Sequence, residues 1–234
     1  LGIRVTYRNI YGARMVLYKD YGAIYVWGKG ERGTLDFIAK NLKEGDVFVD
    51  VGAYVGFFTI FASKIVGERG KILAFEPNPT AYSILLENLK LNGCKNVKAF
   101  NFALGSKEGW GFLKVKGISS DTATFLYGKG DLKVRIRKLD EVLKEEGIIR
   151  VDMVKIDVEG WENEVLKGME QTLKFKPILI VENGPLFSLG YFYLLDLGYK
   201  AYRFTINKNF VSLLIEVDDI YNAPIYDNII FIPK

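Results

Sequence analysis

Ten residues constrain this chain more than any others: Val47-Phe48-Val49-Asp50-Val51-Gly52-Ala53-Tyr54-Val55-Gly56. Val47 to Val51 is an apolar run broken by one acid, the pattern of a strand covered on both faces. Gly52 and Gly56 permit a tight turn and a close approach of backbone. Phe57, Phe58, Phe61 and Ile65 follow at helical spacing. Strand, glycine turn and helix leave N–H groups and the positive end of a helix dipole facing a crevice, with an acid at its mouth. An α/β sheet holds a nucleotide-like ligand with such a unit.

The length of 234 residues accommodates one large α/β domain with a core of its own. We read residues 1–234 as a single domain, with an N-terminal meander and helix over 1–42 and the core over 43–234. The chain has no histidine, and Cys94 is its one cysteine. An internal disulfide and a Cys/His zinc site are therefore excluded, and any metal would be a hard cation on oxygen ligands. Proton chemistry falls to Asp, Glu, Lys, Tyr or water. The net charge of +4 is mild and spread along the chain. Its densest basic cluster, Lys133, Arg135, Arg137 and Lys138, alternates like one solvated face of a strand, which argues against a nucleic-acid partner. No window approaches the roughly 18 apolar residues of a membrane span, and the first residues lack a signal-peptide pattern. The expectation is a cytoplasmic protein without a membrane partner; its oligomeric state is not readable.

Along the chain, residues 3 to 27 alternate between apolar and polar, with turns at Tyr11-Gly12 and Asp20-Tyr21-Gly22, and read as a small β-meander. Thr34 is a candidate cap for a helix burying Leu35, Ile38, Ala39 and Leu42. After the opening unit comes a strand over Lys71 to Phe75, then a helix with Tyr82, Leu85, Leu86 and Leu89 on one face, then a strand over Val97 to Phe102. This β-α-β-α-β order implies a parallel sheet. Strands over Trp110 to Val115 and Val134 to Ile136 flank a polar loop from Gly117 to Thr124, of a length usually reserved for function. A short helix over Asp140 to Glu145 precedes a fourth core strand, Asp152 to Ile156. A helix from Trp161, a fifth strand over Pro177 to Val181 and an aromatic-rich helix over Leu186 to Leu197 follow. Strands over Lys200 to Phe204 and Asn228 to Ile232 end the chain, joined by a connector from Val211 to Tyr226.

In open α/β sheets, ligands lie outside the carboxyl ends of the strands. Those ends here carry Asp50, Glu76, Asn101, Asp157 and Glu182. One acid after one strand is commonly a helix cap; five polar ends in succession point to a site. The turn has Gly52 and Gly56 without the middle glycine of a pyrophosphate loop, and no G-x-x-x-x-G-K-[ST] loop is present. A ligand with a carboxylate, an amine and a ribose, but no phosphate, fits better. Glu76 lies near the spacing of about 20 residues at which an acid takes ribose hydroxyls. The ligand described is S-adenosylmethionine.

Val49-Asp50-Val51-Gly52-Ala53-Tyr54-Val55-Gly56 resembles the D-V-G-A-N-x-G motif of the FkbM family of class I methyltransferases, with Tyr54 where that family has Asn. Ala74-Phe75-Glu76-Pro77-Asn78-Pro79 and Asn101-Phe102-Ala103-Leu104-Gly105 are similar to its second and third motifs. Val154-Lys155-Ile156-Asp157-Val158-Glu159-Gly160-Trp161-Glu162 is similar to its K-x-D-x-E-G-x-E signature. The resemblance spans residues 45 to 183. It implies a doubly wound, Rossmann-like, mostly parallel sheet of seven strands with an antiparallel last strand. It also implies methyl transfer to a hydroxyl of a sugar, glycan or small metabolite. Carried onto this chain, it places Asp50, Gly52, Ala53, Tyr54 and Gly56 at the methionine end of the cofactor, Glu76 and Pro77 at the ribose, and Asn101 and Ala103 near the adenine. Asp157, Glu159 and Glu182 then face the sulfonium and the acceptor.

With no histidine, Asp157, Glu159 and Glu182 are the candidate bases, or two of them hold a cation such as Mg2+ that acidifies the hydroxyl. Capping and pairing with Lys155 or Lys167 is the structural alternative for these acids. Acceptor contacts are expected from Ser119, Ser120 and the loop to Thr124, and from Pro185, Leu186, Phe187, Tyr191 and Tyr193. A tRNA methyltransferase is the first rival, weakened by the lack of an Asn/Asp-Pro-Pro-aromatic motif and of a separate basic domain. A non-catalytic cofactor-binding module is the second.

Overall fold

The computed structural model describes residues 4–8, 12–18, 32–115, 123–126, 130–206 and 212–234. Arg4–Arg8 (β1) and Arg14–Tyr18 (β2) pair antiparallel. Of the expected meander this hairpin is described; the turn at 20–22 and the strand expected around Ile24 and Val26 lie outside the described residues. Arg32–Asn41 forms α1, starting two residues before the Thr34 cap expected from sequence and burying Phe37 in place of Ala39. Phe37 packs edge-on to Phe204, which draws the helix face toward the far end of the sheet.

Val47–Val51 (β3), Phe57–Val66 (α2), Lys71–Phe75 (β4), Pro79–Asn92 (α3) and Val97–Phe100 (β5) follow in the order read, β5 ending two residues before the expected Phe102. Asn78 caps α3, its Oδ1 accepting the N–H groups of Thr80 and Ala81, with Pro79 at the first helical position. That start sets the helical phase. The buried face is Ala81, Ile84, Leu85, Asn88 and Leu89, while Leu86, expected inside, is 44% exposed.

The middle of the chain builds a separate four-stranded sheet of Ala103–Leu104 (β6), Gly109–Val115 (β7), Ala123–Leu126 (β8) and Leu132–Arg137 (β9), in the order β6-β9-β7-β8. Ala123 and Thr124, expected in the polar loop, therefore lie in a strand. Leu139–Glu145 (α4), Met153–Ile156 (β10), Glu162–Lys167 (α5), Glu170–Leu173 (α6), Ile178–Glu182 (β11) and Ser188–Asp196 (α7) return to the core. Tyr199–Ile206 (β12), Ser212–Glu216 (β13) and Asn228–Pro233 (β14) complete it.

The main sheet runs β13-β12-β14-β11-β10-β3-β4-β5. β14 is antiparallel to both β11 and β12, and β3, β4, β5, β10 and β11 are mutually parallel. Among the described residues this sheet has eight strands, not the seven expected. The extra one is β13, which pairs antiparallel with β12 inside the stretch read as a connector. Helices cover both faces. Phe48 and Ile180 join α1, α2 and α3 in one apolar cluster; Val49, Val51, Ile156 and Val181 join α4, α5 and α7 in the other. The chain moves outward from β3 to β5, then crosses back to β10 beside β3. The reversal therefore falls between β3 and β10, and a crevice opens at their carboxyl ends.

Candidate functional site

At that reversal the two loops touch. Gly52 has φ +84, and a Cβ there would lie 1.8 Å from the carbonyl oxygen of Asp157, so only glycine fits. Gly52 and Ala53 donate their N–H groups to the Phe75 carbonyl. Ala53 itself is in the core. Gly56 has φ +93 and would press a Cβ onto Leu85, so the helix α2 enters hard against α3. Asp50 is 1% exposed. Its Oδ2 accepts the Thr59 hydroxyl, and its Oδ1 is buried with no hydrogen-bond partner among the described residues. Burial raises the Asp50 carboxyl, against an opposing pull from the Lys155 ammonium.

Glu76 directly follows β4 and is also buried. Its Oε2 accepts the Tyr54 N–H at 2.9 Å and its Oε1 the Asn78 N–H at 2.8 Å. Burial dominates over these two bonds and pushes the carboxyl up to about 7. Tyr54 has φ +48, a backbone region that Asn enters more readily than Tyr. The bond to Glu76 comes from the Tyr54 backbone, and the ring packs partly buried against the α2 side of the core. The exchange of Asn for Tyr at this position therefore keeps the turn's link to Glu76.

The acids after β10 and β11 converge. One carboxylate oxygen from each of Asp157, Glu159 and Glu182 lies within 4.8 Å of the others. Lys155, 1% exposed, donates to Asp157 Oδ2 at 2.7 Å, with its ammonium 4.5 Å from the Phe58 ring centroid. The pairing foreseen with Lys155 is thus present; Lys167 pairs with Glu164 instead. Burial, then the neighbouring Asp157 and Glu159 carboxylates, push Glu182 up to about 9, and its Oε2 is buried without a hydrogen-bond partner among the described residues. Glu159 stands in left-handed backbone at φ +54, ahead of Gly160 at φ +98. Glu162, 1% exposed, accepts the Gly160 N–H at 3.0 Å and fixes this loop; burial raises its carboxyl as well.

The remaining expected residues divide. Asn101 is exposed, and its amide donates to the carbonyls of Glu76 and Pro77, so it and Pro77 brace the end of β4. Ala103 is buried in β6. Ser119 and Ser120 lie outside the described residues. Phe187 and Tyr191, expected at the acceptor, are 0% and 1% exposed. Phe187 packs on Phe231, and the Tyr191 hydroxyl donates to the Val217 carbonyl. These two belong to the core because α7 turns them onto the sheet, while Pro185, Leu186, Leu189 and Tyr193 line an open cleft of about 750 Å³ instead. Thr59 and Glu162 were given no role from the sequence, and Lys155 only that of an ion-pair partner. Lys155 and Glu162 stand within the signature segment, which could have flagged them; nothing marks Thr59 beforehand.

A doubly wound sheet with a glycine turn, a strand-end acid at the second strand and further acids across the reversal defines a class I, Rossmann-like methyltransferase fold. The FkbM methyltransferase domain matches residues 50–201, and the chain belongs to that family. It is 33% identical over 165 residues to methyltransferase sdnD of Sordaria araneosa, covering 56% of this chain and 63% of that protein. It is 29% identical over 154 residues to hexuronic acid methyltransferase AglP of Haloferax volcanii, covering 66% and 62%. The chain thus spans less than two thirds of either relative. In fold it is similar to Trm5b from Pyrococcus abyssi, with a TM-score of 0.53 at 15% identity over 99% of this chain and 56% of that one.

Proposed function

We propose that this chain transfers the methyl group of S-adenosylmethionine to a hydroxyl oxygen of a glycan or small metabolite. The observation that carries the reading is the meeting of Asp157, Glu159 and Glu182 directly across from the Gly52 turn. The residues fit the cofactor. The buried, unpaired Asp50 Oδ1 suits its ammonium, and Glu76 keeps a second lone pair on each oxygen for the ribose hydroxyls. When bound, the cofactor supplies the activated methyl carbon.

The acids then handle the acceptor's proton. Glu182, raised to about 9, holds a proton at neutral pH. Asp157, oriented by Lys155, and Glu159 are left to accept the hydroxyl proton. Sharing one proton relieves the crowding of like charges without a cation, so turnover should survive EDTA. The hexuronic acid relative supports a sugar as the acceptor.

The test is transfer of labelled methyl from the cofactor to glycans, small metabolites and tRNA. Glycans or metabolites should be labelled, and label in tRNA alone would overturn the acceptor assignment. Asp157→Asn and Glu159→Gln should each lower kcat by about 10²–10⁴-fold, and Glu182→Gln, which keeps a neutral side chain there, by less. Full turnover in all three would remove the acids from the chemistry.

A further inference from the structure

A second cleft, of about 500 Å³, opens beside α5 and is lined by Ser106, Lys107, Trp110, Trp161, Glu164 and Lys167. That volume is within the range of small-ligand sites, about 300–1,000 Å³. Trp110 stands on β7 with 64% of its surface exposed. The Lys133 ammonium sits 4.9 Å from the centroid of its ring. Trp161 forms the floor, nearly buried, with its indole N–H donating to the Leu104 carbonyl at 3.1 Å. Glu164 accepts from the Ser106 hydroxyl and from Lys167. Trp161, Glu164 and Lys167 also line the 750 Å³ cleft, which reaches Gly160, the residue after Glu159. The two clefts therefore adjoin, and together they lead from Trp110 to the loop that carries the acids.

We propose that the Trp110 cleft is a saccharide subsite that holds a sugar ring next to the one methylated; this rests on the glycan reading above. An exposed indole offers a flat apolar face to the C–H face of a pyranose, and a rim of hydroxyl, carboxylate and ammonium groups suits its hydroxyls. A nucleobase also stacks on indole, but its backbone calls for an excess of cations. The lining of the cleft is mixed: Lys107 and Lys167 are matched by Glu108 and Glu164, Lys167 is paired with Glu164, and nearby Arg137 is paired with Glu108 and Glu145, with Lys133 and Arg135 the further cations beside Trp110.

The experiment is a printed glycan array probed with the labelled chain and with its Trp110→Ala and Trp110→Phe variants, alongside oligouridylate. Binding sites are located by fluorine NMR of 5-fluorotryptophan protein. Wild type should retain a set of glycans, Trp110→Ala should lose them by at least tenfold, Trp110→Phe should recover them, and the Trp110 resonance should shift. Cofactor affinity should be equal in all three, showing that they fold alike. Retention of no glycan, equal retention by Trp110→Ala, or a shift with oligouridylate alone would overturn the subsite. Glycans that bind at Trp110 without being methylated would sink the proposed function and leave the subsite standing. Glycans methylated with an unchanged KM in Trp110→Ala would do the reverse.

Discussion

A carboxylate buried at the end of a strand has to be paired or to take up a proton, and Glu76 stands close to the balance. Two backbone N–H groups hold it, yet burial lifts it to about 7 in the folded chain, against 4.5 as its ordinary value. The folded pKa is raised. Its contribution to stability is therefore complete below about 4.5 and is lost as pH climbs through 7, on the order of 3 kcal/mol in full. A ribose that donates hydroxyls to Glu76 favours the ionised form, so binding has the opposite slope. Affinity for S-adenosylmethionine should weaken as pH falls below 7, approaching tenfold per pH unit if only the carboxylate binds. Calorimetry between pH 5.5 and 8 measures this. Glu76→Gln should bind more weakly at pH 8 and lose most of the slope; an unchanged profile in that variant would take Glu76 out of the ribose site.

At the scale of elements, the N-terminal hairpin depends on α3. Asn88, 0% exposed, accepts the Val16 N–H at 2.6 Å and donates to the Val55 carbonyl at 2.8 Å, so one side chain joins β2, α3 and the cofactor turn. Asn92 exchanges hydrogen bonds with the Arg14 backbone, and the Arg14 guanidinium reaches the Leu91 carbonyl. Removing the Asn88 amide strands buried backbone groups, at about 1–3 kcal/mol each. Asn88→Ala should lower stability by about that much and raise amide exchange in β2 first, with β3 and β4 still protected. Exchange rising equally in all three would show that the hairpin is not pinned at this point. Asn88 also marks the limit of sequence reading. Strands β4 and β11 were legible because unbroken apolar runs lead into acids, and β3 and β10 although a single charged residue interrupts each. The face of α3 was not, because a buried amide looks like a polar interruption until its partners, 33 and 72 positions away, are known. β13 was missed for a related reason: Leu213, Leu214 and Ile215 are all partly exposed, so the strand has no two-residue alternation to read. Of the strand-end acids, Asp157 and Glu182 meet, together with Glu159. Phe187 and Tyr191 were misplaced because composition does not tell which side of α7 meets the sheet.

For the molecule as a whole, the cost of this crevice is concentrated charge. Asp50, Glu76, Glu162 and Glu182 are all raised, burial being the leading cause in each, and Asp157 adds repulsion to every one of them. Lys155 is the cation that offsets both Asp50 and Glu182. Between the ordinary carboxylate range and about pH 9 the folded chain thus holds more protons than the unfolded chain, and stability must fall as pH rises. The midpoint of thermal unfolding should be higher at pH 6 than at pH 9, by on the order of 5 °C for a chain of this size. A ligand that brings positive charge restores what high pH removes. S-adenosylmethionine and S-adenosylhomocysteine share the ammonium, carboxylate and ribose, and differ in the sulfonium charge and its methyl. At pH 9, with Glu76 ionised and Glu182 about half so, S-adenosylmethionine should raise the midpoint more than S-adenosylhomocysteine does. At pH 6, with Glu76 and Glu182 protonated, the gap should narrow. Thermal unfolding at both pH values, with each ligand at saturation, measures the difference directly. A gap that is the same at pH 6 and pH 9 would mean that the sulfonium does not lie among these acids, and the orientation proposed for the cofactor would have to be reversed.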